Sequence, residues 1–349
     1  MSYPRAMPHA WVNPALLGLV AAQLASGLAG LLGSSDPYRV AFWAHAVGGY
    51  AVLALLGFKA AMVHAAVRRR PGLGPDRMVL AVAALLLLAV LGTGLAWIFA
   101  GPFGVGGVSG INLHAYLALV LAVPLAWHAR DRRWVTREPG AMDRRAFLLA
   151  GAAAAAGLVL WQAERTVQAL LGTPGALRRF TGSYETGSHT GRFPVTSWLD
   201  DGPAPLARDA WRLSVRGLVA RPLSLGLTDL GGFPPACDEE TLDCTGGWYT
   251  RQAWSGVRLG DLLAAADLQP GASSVVVRSV TGYERRFDLD HAERLLLATG
   301  VAGRDLSHGH GAPARLVVPG RRGYDWVKWV VEVRVIRGSH LAQPPLPLT

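Results

Sequence analysis

Cys244 gives this chain its clearest opportunity for metal chemistry. It is one of only two cysteines among 349 residues, and it stands beside a glycine pair in the stretch Thr241-Leu-Asp-Cys-Thr-Gly-Gly-Trp-Tyr249. A thiolate is a soft ligand, so a lone cysteine on a loop suits one bond to a soft metal. A disulfide with Cys237 is the alternative use outside a cell, but a bridged Cys244 could not bind a metal. We expect Cys237 to be a buried or bystander thiol.

Four histidines lie within or at the ends of long apolar segments, where ionisable side chains are uncommon and usually functional. His45 and His114 lie near one face of the predicted membrane region, and His64 and His128 lie near the other. Imidazoles on facing helices can hold a haem between them. We therefore predict an outer haem b on His45 and His114 and an inner haem b on His64 and His128.

Helical spacing supports one pair of positions more than the other. From His114 to His128 a helix turns about 1400°, within about 40° of whole turns, so both side chains point to one face. From His45 to His64 the offset is about 100°, so these positions are less well aligned. The alternative for His64 and His128 is a place at the membrane interface among lipid headgroups.

Five apolar runs in the first 165 residues must position these histidines. Each is near or above the roughly 17 to 20 residues that cross a bilayer, the fifth being the shortest. The runs are Trp11–Leu32, Val40–Val67, Val79–Ala100, Ile111–His128 and Ala146–Trp161. We predict an all-α membrane bundle of four helices, followed by a fifth helix that serves as an anchor or export segment.

Arginines predict the orientation of this bundle, because positive residues are retained on the cytoplasmic side. The connections after the second and fourth runs are rich in arginine, whereas those after the first and third carry almost none. The residues are Arg68, Arg69, Arg70, Arg77, Arg130, Arg132, Arg133, Arg137, Arg144 and Arg145. We expect a bacterial inner membrane protein with a cytoplasmic N-terminus and a periplasmic or extracellular C-terminal domain. Much of the net charge of +10 lies in these loops, which disfavours a nucleic-acid partner.

The C-terminal half has the pattern of a soluble domain. Short apolar stretches at 213–219, 274–280, 315–318 and 327–336 indicate strands, and 259–266 indicates an amphipathic helix. A loop rich in Gly, Ser and Thr precedes them, from Arg179 to Ser197. We predict an α+β fold for this half.

Several of its motifs resemble, in the same order, the molybdopterin-binding domain of the sulfite oxidase family. The motifs are Trp211-Arg-Leu-Ser-Val-Arg-Gly217, the Cys244 stretch, Ser279-Val-Thr-Gly-Tyr283, Leu297-Ala-Thr-Gly300, His310-Gly-Ala-Pro-Ala-Arg315 and Val327-Lys-Trp329. The resemblance covers roughly residues 195–337. It implies that Cys244 ligates molybdenum, that Thr196 and Ser197 contact the pterin, that Arg315 and Lys328 lie near its phosphate, and that His310 is a neighbour of the cofactor.

Two departures from this family put sulfite in doubt as the substrate. The Arg-Asn-His segment that helps sulfite oxidases bind an anion has no equivalent, and Thr299 stands where a catalytic tyrosine is expected. Tyr249 and Tyr283 are the alternative proton donors that we predict. We expect the family's immunoglobulin-like dimerisation domain to be missing.

The segment from Asp143-Arg-Arg145 through Phe147 resembles a twin-arginine export signal, which passes folded domains across a membrane. A molybdenum cofactor is inserted in the cytoplasm, so an external domain carrying one must cross already folded. The alternative is a positive flank of the fifth helix. Because no Ala-x-Ala cleavage site follows the apolar run Ala146–Trp161, we expect that helix to persist as an anchor.

These patterns predict three parts and one function. Residues 1–135 resemble four-helix b-type cytochrome domains, 136–172 form the export-like segment and fifth helix, and 173–349 form the molybdopterin domain. We expect a membrane-anchored oxidoreductase that exchanges electrons between a small external substrate and the quinone pool, through molybdenum-molybdopterin and one or two haems b. The alternatives are a haem-only electron relay with a non-catalytic outer domain, and an outer binding module that has lost catalysis.

Overall fold

The computed structural model describes residues 12–69, 74–130, 144–197 and 201–344. Within them, the side chains of 13–14, 58, 61–69, 75–76 and 144–147 are not described. The predictions for the side chain of His64 and for the arginines at 68–70, 132–133, 137 and 144–145 therefore lie outside the described part. The chain forms two compact units, a helical unit within residues 1–31 and 36–184, and a second unit within residues 32–35 and 185–349, which is called the outer unit after its predicted position.

Each of the five apolar runs is helical. The helices are α1 Val12–Leu31, α2 Arg39–Arg69, α3 Pro75–Ala100, α4 Gly110–Arg130 and α5 Arg144–Leu171. Helix α3 begins with proline at its first position, where the missing N–H is not needed, and it ends at Gly101 with φ of +86°. In the contacts within this unit, α1 packs on α2, α3 on α4, and α2 on α5.

Three helical segments among the described residues are long and apolar enough to cross a membrane. They are Asp36–Gly57, Arg77–Ala100 and Gly110–Arg130, and Ala15–Leu31 is a shorter apolar helix. By length and composition these helices indicate membrane association. The four-helix membrane bundle and the sidedness of the chain remain predictions.

Helix α5 is longer than the sequence predicted, since it continues ten residues past Trp161 to Leu171. Its last turns carry polar side chains that are nevertheless buried, Glu164 and Gln168. Arg178 lies 3.1 Å from the Glu164 carboxylate and donates to the Gln168 side-chain oxygen at 2.7 Å. Burial of these groups against each other lets the helix extend beyond the purely apolar run.

The outer unit is α+β, as predicted. One sheet has the order β11-β10-β7-β3, with β12 pairing to β10 and β6 to β7, and the other has the order β5-β4-β13-β8-β9. The strands of the first are β3 Tyr184–Glu185, β6 Pro235–Asp243, β7 Trp248–Arg258, β10 Leu296–Val301, β11 Arg304–Asp305 and β12 Arg315–Val317. Those of the second are β4 Leu213–Gly217, β5 Leu223–Leu225, β8 Ser274–Ser279, β9 Glu284–Asp288 and β13 Val330–Ile336. In the helical unit, a small hairpin has two strands of two residues each, β1 Gly104–Val105 and β2 Val108–Ser109.

The predicted helix and strands are recovered with one clear shift. Helix α7 spans Leu259–Ala266, and its residues Leu259, Leu262, Leu263 and Ala266 are all buried in the core. This i, i+3, i+4, i+7 spacing explains why the sequence revealed it. Strand β13 begins at Val330 rather than Val327, because Trp329 adopts a φ of +52°, outside the extended region. Short helices α6 Leu227–Leu230 and α8 Leu289–Ala292 complete the unit.

Candidate functional site

Cys244 lies in the turn that joins β6 to β7. Its N–H donates to the Trp248 carbonyl at 2.9 Å, and its own carbonyl accepts from the Gly247 N–H at 3.1 Å. The Sγ atom accepts from the Gly246 N–H at 3.3 Å and lies 3.4 Å from Thr196 Oγ1. The turn therefore fixes the sulfur atom and places two polar groups beside it, which suits a thiolate ligand.

Both cysteines are free thiols, so the disulfide alternative is not formed. Cys237 lies on β6 opposite Ser255. It is exposed, which corrects the expectation that it is buried and leaves the bystander role. Cys244 is half-buried and is available for a metal.

A buried ion pair that the sequence did not reveal supports the cysteine turn. Asp243 is fully buried, and Arg322 donates to its Oδ1 at 2.6 Å. The same guanidinium donates to the Cys244 carbonyl at 3.3 Å. Because removing one partner would leave a buried charge unpaired, this pair anchors the turn strongly. The only sequence signal is an acidic residue next to Cys244, which is too common to be informative.

Arg315 and Lys328, both predicted to bind the cofactor, flank Gly311. A Cβ at Gly311 would lie 3.0 Å from the Cβ of each. Arg315 is 3% exposed, donates to the His310 carbonyl at 3.0 Å, and stacks over Trp254. Burial lowers its pKa to about 9. Burial also lowers the pKa of Lys328 to about 8, and the nearby Arg315 charge contributes.

Lys328 links the two predicted pterin contacts to the rest of the site. Its Nζ donates to the Gly309 carbonyl at 2.9 Å and to Ser197 Oγ at 3.3 Å. Thr196, one residue before Ser197, is the residue beside the Cys244 sulfur. The structure thus brings together Thr196, Ser197, Cys244 and Lys328 from distant parts of the sequence.

His310 uses both ring nitrogens within the protein. Its Nε2 lies 3.0 Å from the Phe193 carbonyl, and its Nδ1 lies 3.0 Å from Ser307 Oγ. Because the carbonyl can only accept, Nε2 carries the proton and Nδ1 accepts from the serine hydroxyl. The ring stacks on Phe193 with centroids 3.9 Å apart, and burial lowers its pKa. A neutral imidazole therefore fixes the Phe193 segment.

An open cavity of about 550 Å³ adjoins this stacked pair. It is lined by Thr186, Gly191, Arg192, Phe193, Pro194, Ser307 and His310. The ring of Phe193 also contacts Trp248, the first residue of β7 after the cysteine turn, with centroids 6.1 Å apart. The cavity and the cysteine turn therefore share an aromatic wall.

The two predicted proton donors differ in their surroundings. Tyr249 lies on β7 opposite Asp243, one residue from the cysteine turn, and is half-buried. Tyr283 is buried and donates its hydroxyl to the Tyr324 carbonyl. Burial raises the pKa of Tyr283, so its hydroxyl keeps its proton at ordinary pH. The catalytic role of either tyrosine remains a prediction.

The donors left without partners test whether these residues fit a molybdopterin. Among the described residues, four buried N–H groups of Trp248, Arg322 and the cation–π neighbours Arg315 and Trp326 have no acceptor: Trp248 Nε1, Arg315 Nε, Arg322 Nε and Trp326 Nε1. An unpaired buried donor is costly. A ligand rich in acceptors, with a phosphate, pterin carbonyl and sulfur atoms, would satisfy such a set. The residues present therefore fit the group that the resemblance implies.

His45 and His114, the predicted ligands of the outer haem, lie close together in the helical unit. Their ring centroids are 6.1 Å apart with an interplanar angle of 81°. Two metal–imidazole bonds of about 2 Å each, plus the distance from each nitrogen to its ring centre, give about 6 Å. The separation therefore fits a metal held between the two rings. His128 lies half-buried on α4, and its predicted partnership with His64 remains a prediction.

Comparisons with known proteins concern the outer unit. Residues 201–343 match the family model described as the oxidoreductase molybdopterin binding domain. The protein-methionine-sulfoxide reductase catalytic subunit MsrP of Gluconobacter oxydans (strain 621H) is 31% identical, over 36% of this chain and 47% of that protein. The sulfane dehydrogenase SoxCD from Paracoccus pantotrophus is 30% identical with a TM-score of 0.36, over 38% of this chain and 39% of that chain.

Residues 201–343 are therefore similar to molybdopterin-binding oxidoreductase domains of the sulfite oxidase type. The predicted resemblance is confirmed for this part of the chain, as is the prediction of a molybdopterin-dependent enzyme. The chain spans about half the length of the curated relative that it matches, at 47%.

Proposed function

We propose that this chain is a membrane-anchored molybdenum oxidoreductase in which an outer molybdenum centre exchanges electrons with haem b in the same polypeptide. The observation that carries the proposal is the pairing of two metal-binding arrangements in one chain. Cys244 presents its sulfur beside the Thr196 hydroxyl at 3.4 Å, and the ring centroids of His45 and His114 lie 6.1 Å apart. The family match supports the first arrangement only.

In the outer site, one thiolate and two cationic side chains hold and orient the cofactor. A bound molybdopterin supplies oxygen-atom transfer by a two-electron change of the metal. Cys244 provides the protein's thiolate, while Arg315 and Lys328 hold the cofactor's anionic groups. Thr196 and Ser197 provide hydroxyls beside the sulfur and the ammonium.

The proposed substrate is a small oxide without charge, such as a sulfoxide. Two cations described near Cys244 already have partners within the protein. Arg322 pairs with Asp243, and Lys328 donates to Gly309 and Ser197. Because these cations are engaged within the protein, a second anion is disfavoured as the substrate. Reduction of such an oxide takes up two electrons and two protons and releases water. The name of the relative MsrP, a methionine-sulfoxide reductase subunit, supports sulfoxides as the first compounds to screen.

In the helical unit, His45 and His114 would hold a haem b that supplies one-electron transfer. The membrane quinone pool is the proposed partner because the surrounding helices are apolar and long enough to lie in a bilayer. An inner haem on His64 and His128, the twin-arginine route of export and the periplasmic position of the outer unit belong to the same proposal.

Replacing Cys244 with serine tests this proposal, and Cys237→Ser is its matched control. We expect Cys244→Ser to lose molybdenum and substrate-dependent activity while the reduced-minus-oxidised haem spectrum is unchanged. Cys237 is exposed and distant in sequence from the turn, so its variant should keep both. The measurement is molybdenum and haem per purified chain, with visible spectra. If the wild type contains haem but no molybdenum, and Cys244→Ser leaves electron transfer unchanged, the haem-only relay is the better account.

A further inference from the structure

The hairpin of α1 and α2 surrounds its histidine with acceptors. His45 Nδ1 lies 3.1 Å from the Gln23 carbonyl oxygen and 3.2 Å from Ser26 Oγ. The serine hydroxyl has one proton, and its nearest acceptor is the Ala22 carbonyl at 2.7 Å. Gly27, in the next position, leaves room for the ring, since a Cβ there would lie 3.2 Å from His45 Cε1.

The hairpin of α3 and α4 repeats this arrangement residue by residue. His114 Nδ1 lies 2.9 Å from the Val90 carbonyl oxygen and 3.5 Å from Thr93 Oγ1. The threonine hydroxyl donates its hydrogen bond to the Ala89 carbonyl at 2.8 Å. A Cβ at Gly94 would lie 3.2 Å from His114 Cε1. Both hairpins thus place a carbonyl at position i, a hydroxyl at i+3 and a glycine at i+4.

The repeated arrangement fixes the protonation of both rings. Each Nδ1 faces a carbonyl oxygen, which can only accept, and a hydroxyl oxygen whose proton is used within its own helix. Nδ1 must therefore carry the ring proton, and the lone pair is left on Nε2. A neutral imidazole with a free Nε2 is the form that binds a metal, and an acceptor on its N–H raises its basicity.

We propose that Ser26 and Thr93 are positioning residues for a bis-imidazole haem site. Together with the carbonyls of Gln23 and Val90, their oxygens fix the tautomer and the rotation of the two rings, and hence the 81° angle between the ring planes. This inference rests on the proposed haem between the two histidines. It assigns a function to two hydroxyl residues of helices that are mostly apolar.

The angle between the rings has a spectroscopic consequence. A low-spin ferric haem with nearly perpendicular imidazole planes gives a strongly anisotropic EPR spectrum, and the anisotropy falls as the planes become parallel. Loss of the hydroxyl acceptors frees the rings to rotate and weakens the polarisation of each N–H. The g values should therefore move, and the midpoint potential should rise because the ligands become less basic.

The test compares Ser26→Ala, Thr93→Val and their combination with two controls. The exchange pair Ser26→Thr and Thr93→Ser keeps an oxygen at both positions. Thr166→Val removes a hydroxyl on α5 that donates to the Gln162 carbonyl at 3.0 Å. This hydrogen bond does not involve a histidine. Haem affinity, the EPR g values and the midpoint potential are measured on the full-length protein in detergent, and circular dichroism monitors folding.

We expect the combined variant to bind haem about 10-fold to 100-fold more weakly, with shifted g values, while both controls resemble the wild type. Unchanged affinity, g values and potential in a folded combined variant would overturn the inference and leave the proposed haem intact. Wild-type protein that binds no haem under haem-replete expression would overturn the haem itself, and the inference with it. The two failures are therefore distinguishable.

Discussion

At the scale of single residues, a buried cation that has no carboxylate partner among the described residues is the clearest sign of what the outer site binds. Arg315 is 3% exposed, and the groups that act on its pKa include the Cys244 thiol but no carboxylate. A buried charge is expensive unless it is paired. Structural buried arginines of this unit have such pairs, as in Arg285 with Asp325 at 2.7 Å and Arg322 with Asp243 at 2.6 Å. We therefore expect Arg315 to pair with an anion that is not part of the chain.

This imbalance predicts an unusual dependence of stability on pH in protein without cofactor. Burial lowers the pKa of Arg315 to about 9 and that of Lys328 to about 8, both below their ordinary values. Between about pH 8 and 10 the unfolded chain then holds more protons than the folded one, so the free energy of unfolding rises with pH. We expect the melting temperature of cofactor-free protein to rise across this range.

The loaded protein is the control for this effect. An anion bound to both cations raises their pKa values again, so the rise in melting temperature should disappear in the loaded protein. It should also disappear in cofactor-free protein that carries Arg315→Met and Lys328→Met. The measurement is thermal unfolding in detergent for material from hosts with and without molybdopterin synthesis. The same slope in loaded and cofactor-free protein would contradict the assignment of the two cations.

At the scale of elements, the packing of α2 on α5 depends on a glycine. A Cβ at Gly157 of α5 would clash with the Val47 carbonyl and lie 2.9 Å from the Ala51 nitrogen on α2. The close approach that Gly157 permits brings the backbones of the two helices together, as small residues do between membrane helices. It also seats the helix that carries His45.

Gly157→Ala should therefore destabilise the helical unit by about 1–3 kcal/mol through overpacking. Gly151→Ala is the matched control on the same helix, because a Cβ at Gly151 meets nothing within 4 Å. Alanine there should be neutral or stabilising by up to about 1 kcal/mol. The measurement is the temperature at which each variant loses its haem absorbance in detergent. Equal loss in the two variants would show that α2 and α5 do not pack through Gly157.

The elements differ in how well the sequence predicted them. The apolar helices and α7 were visible because their periodicity is local, whereas β6 alternates too weakly to be recognised. The facing of His45 and His114 was predicted from depth alone. The Asp243–Arg322 pair joins residues 79 positions apart, and the acceptors on Nδ1 of each histidine come from another helix. Such features depend on tertiary packing, which local pattern does not encode.

At the scale of the whole molecule, the proposed function gives one chain two redox parts, a haem in the helical unit and a molybdenum centre in the other unit, which we propose is periplasmic. The exposed Cys237 offers a direct test of the position of the outer unit. In a Cys244→Ser background, a membrane-impermeant maleimide should label Cys237 in intact spheroplasts as fully as in lysed membranes. Labelling that requires lysis would place the outer unit in the cytoplasm and contradict the proposed orientation.

The central claim is that electrons pass between haem b and the molybdenum centre within one chain. The most direct measurement adds a quinol to oxidised, fully loaded protein and follows the haem absorbance together with the EPR signal of half-reduced molybdenum. We predict that haem reduction is followed by the molybdenum signal in the wild type, and that Cys244→Ser shows haem reduction alone. Protein that contains both metals but shows reduced haem with molybdenum left fully oxidised would contradict the account.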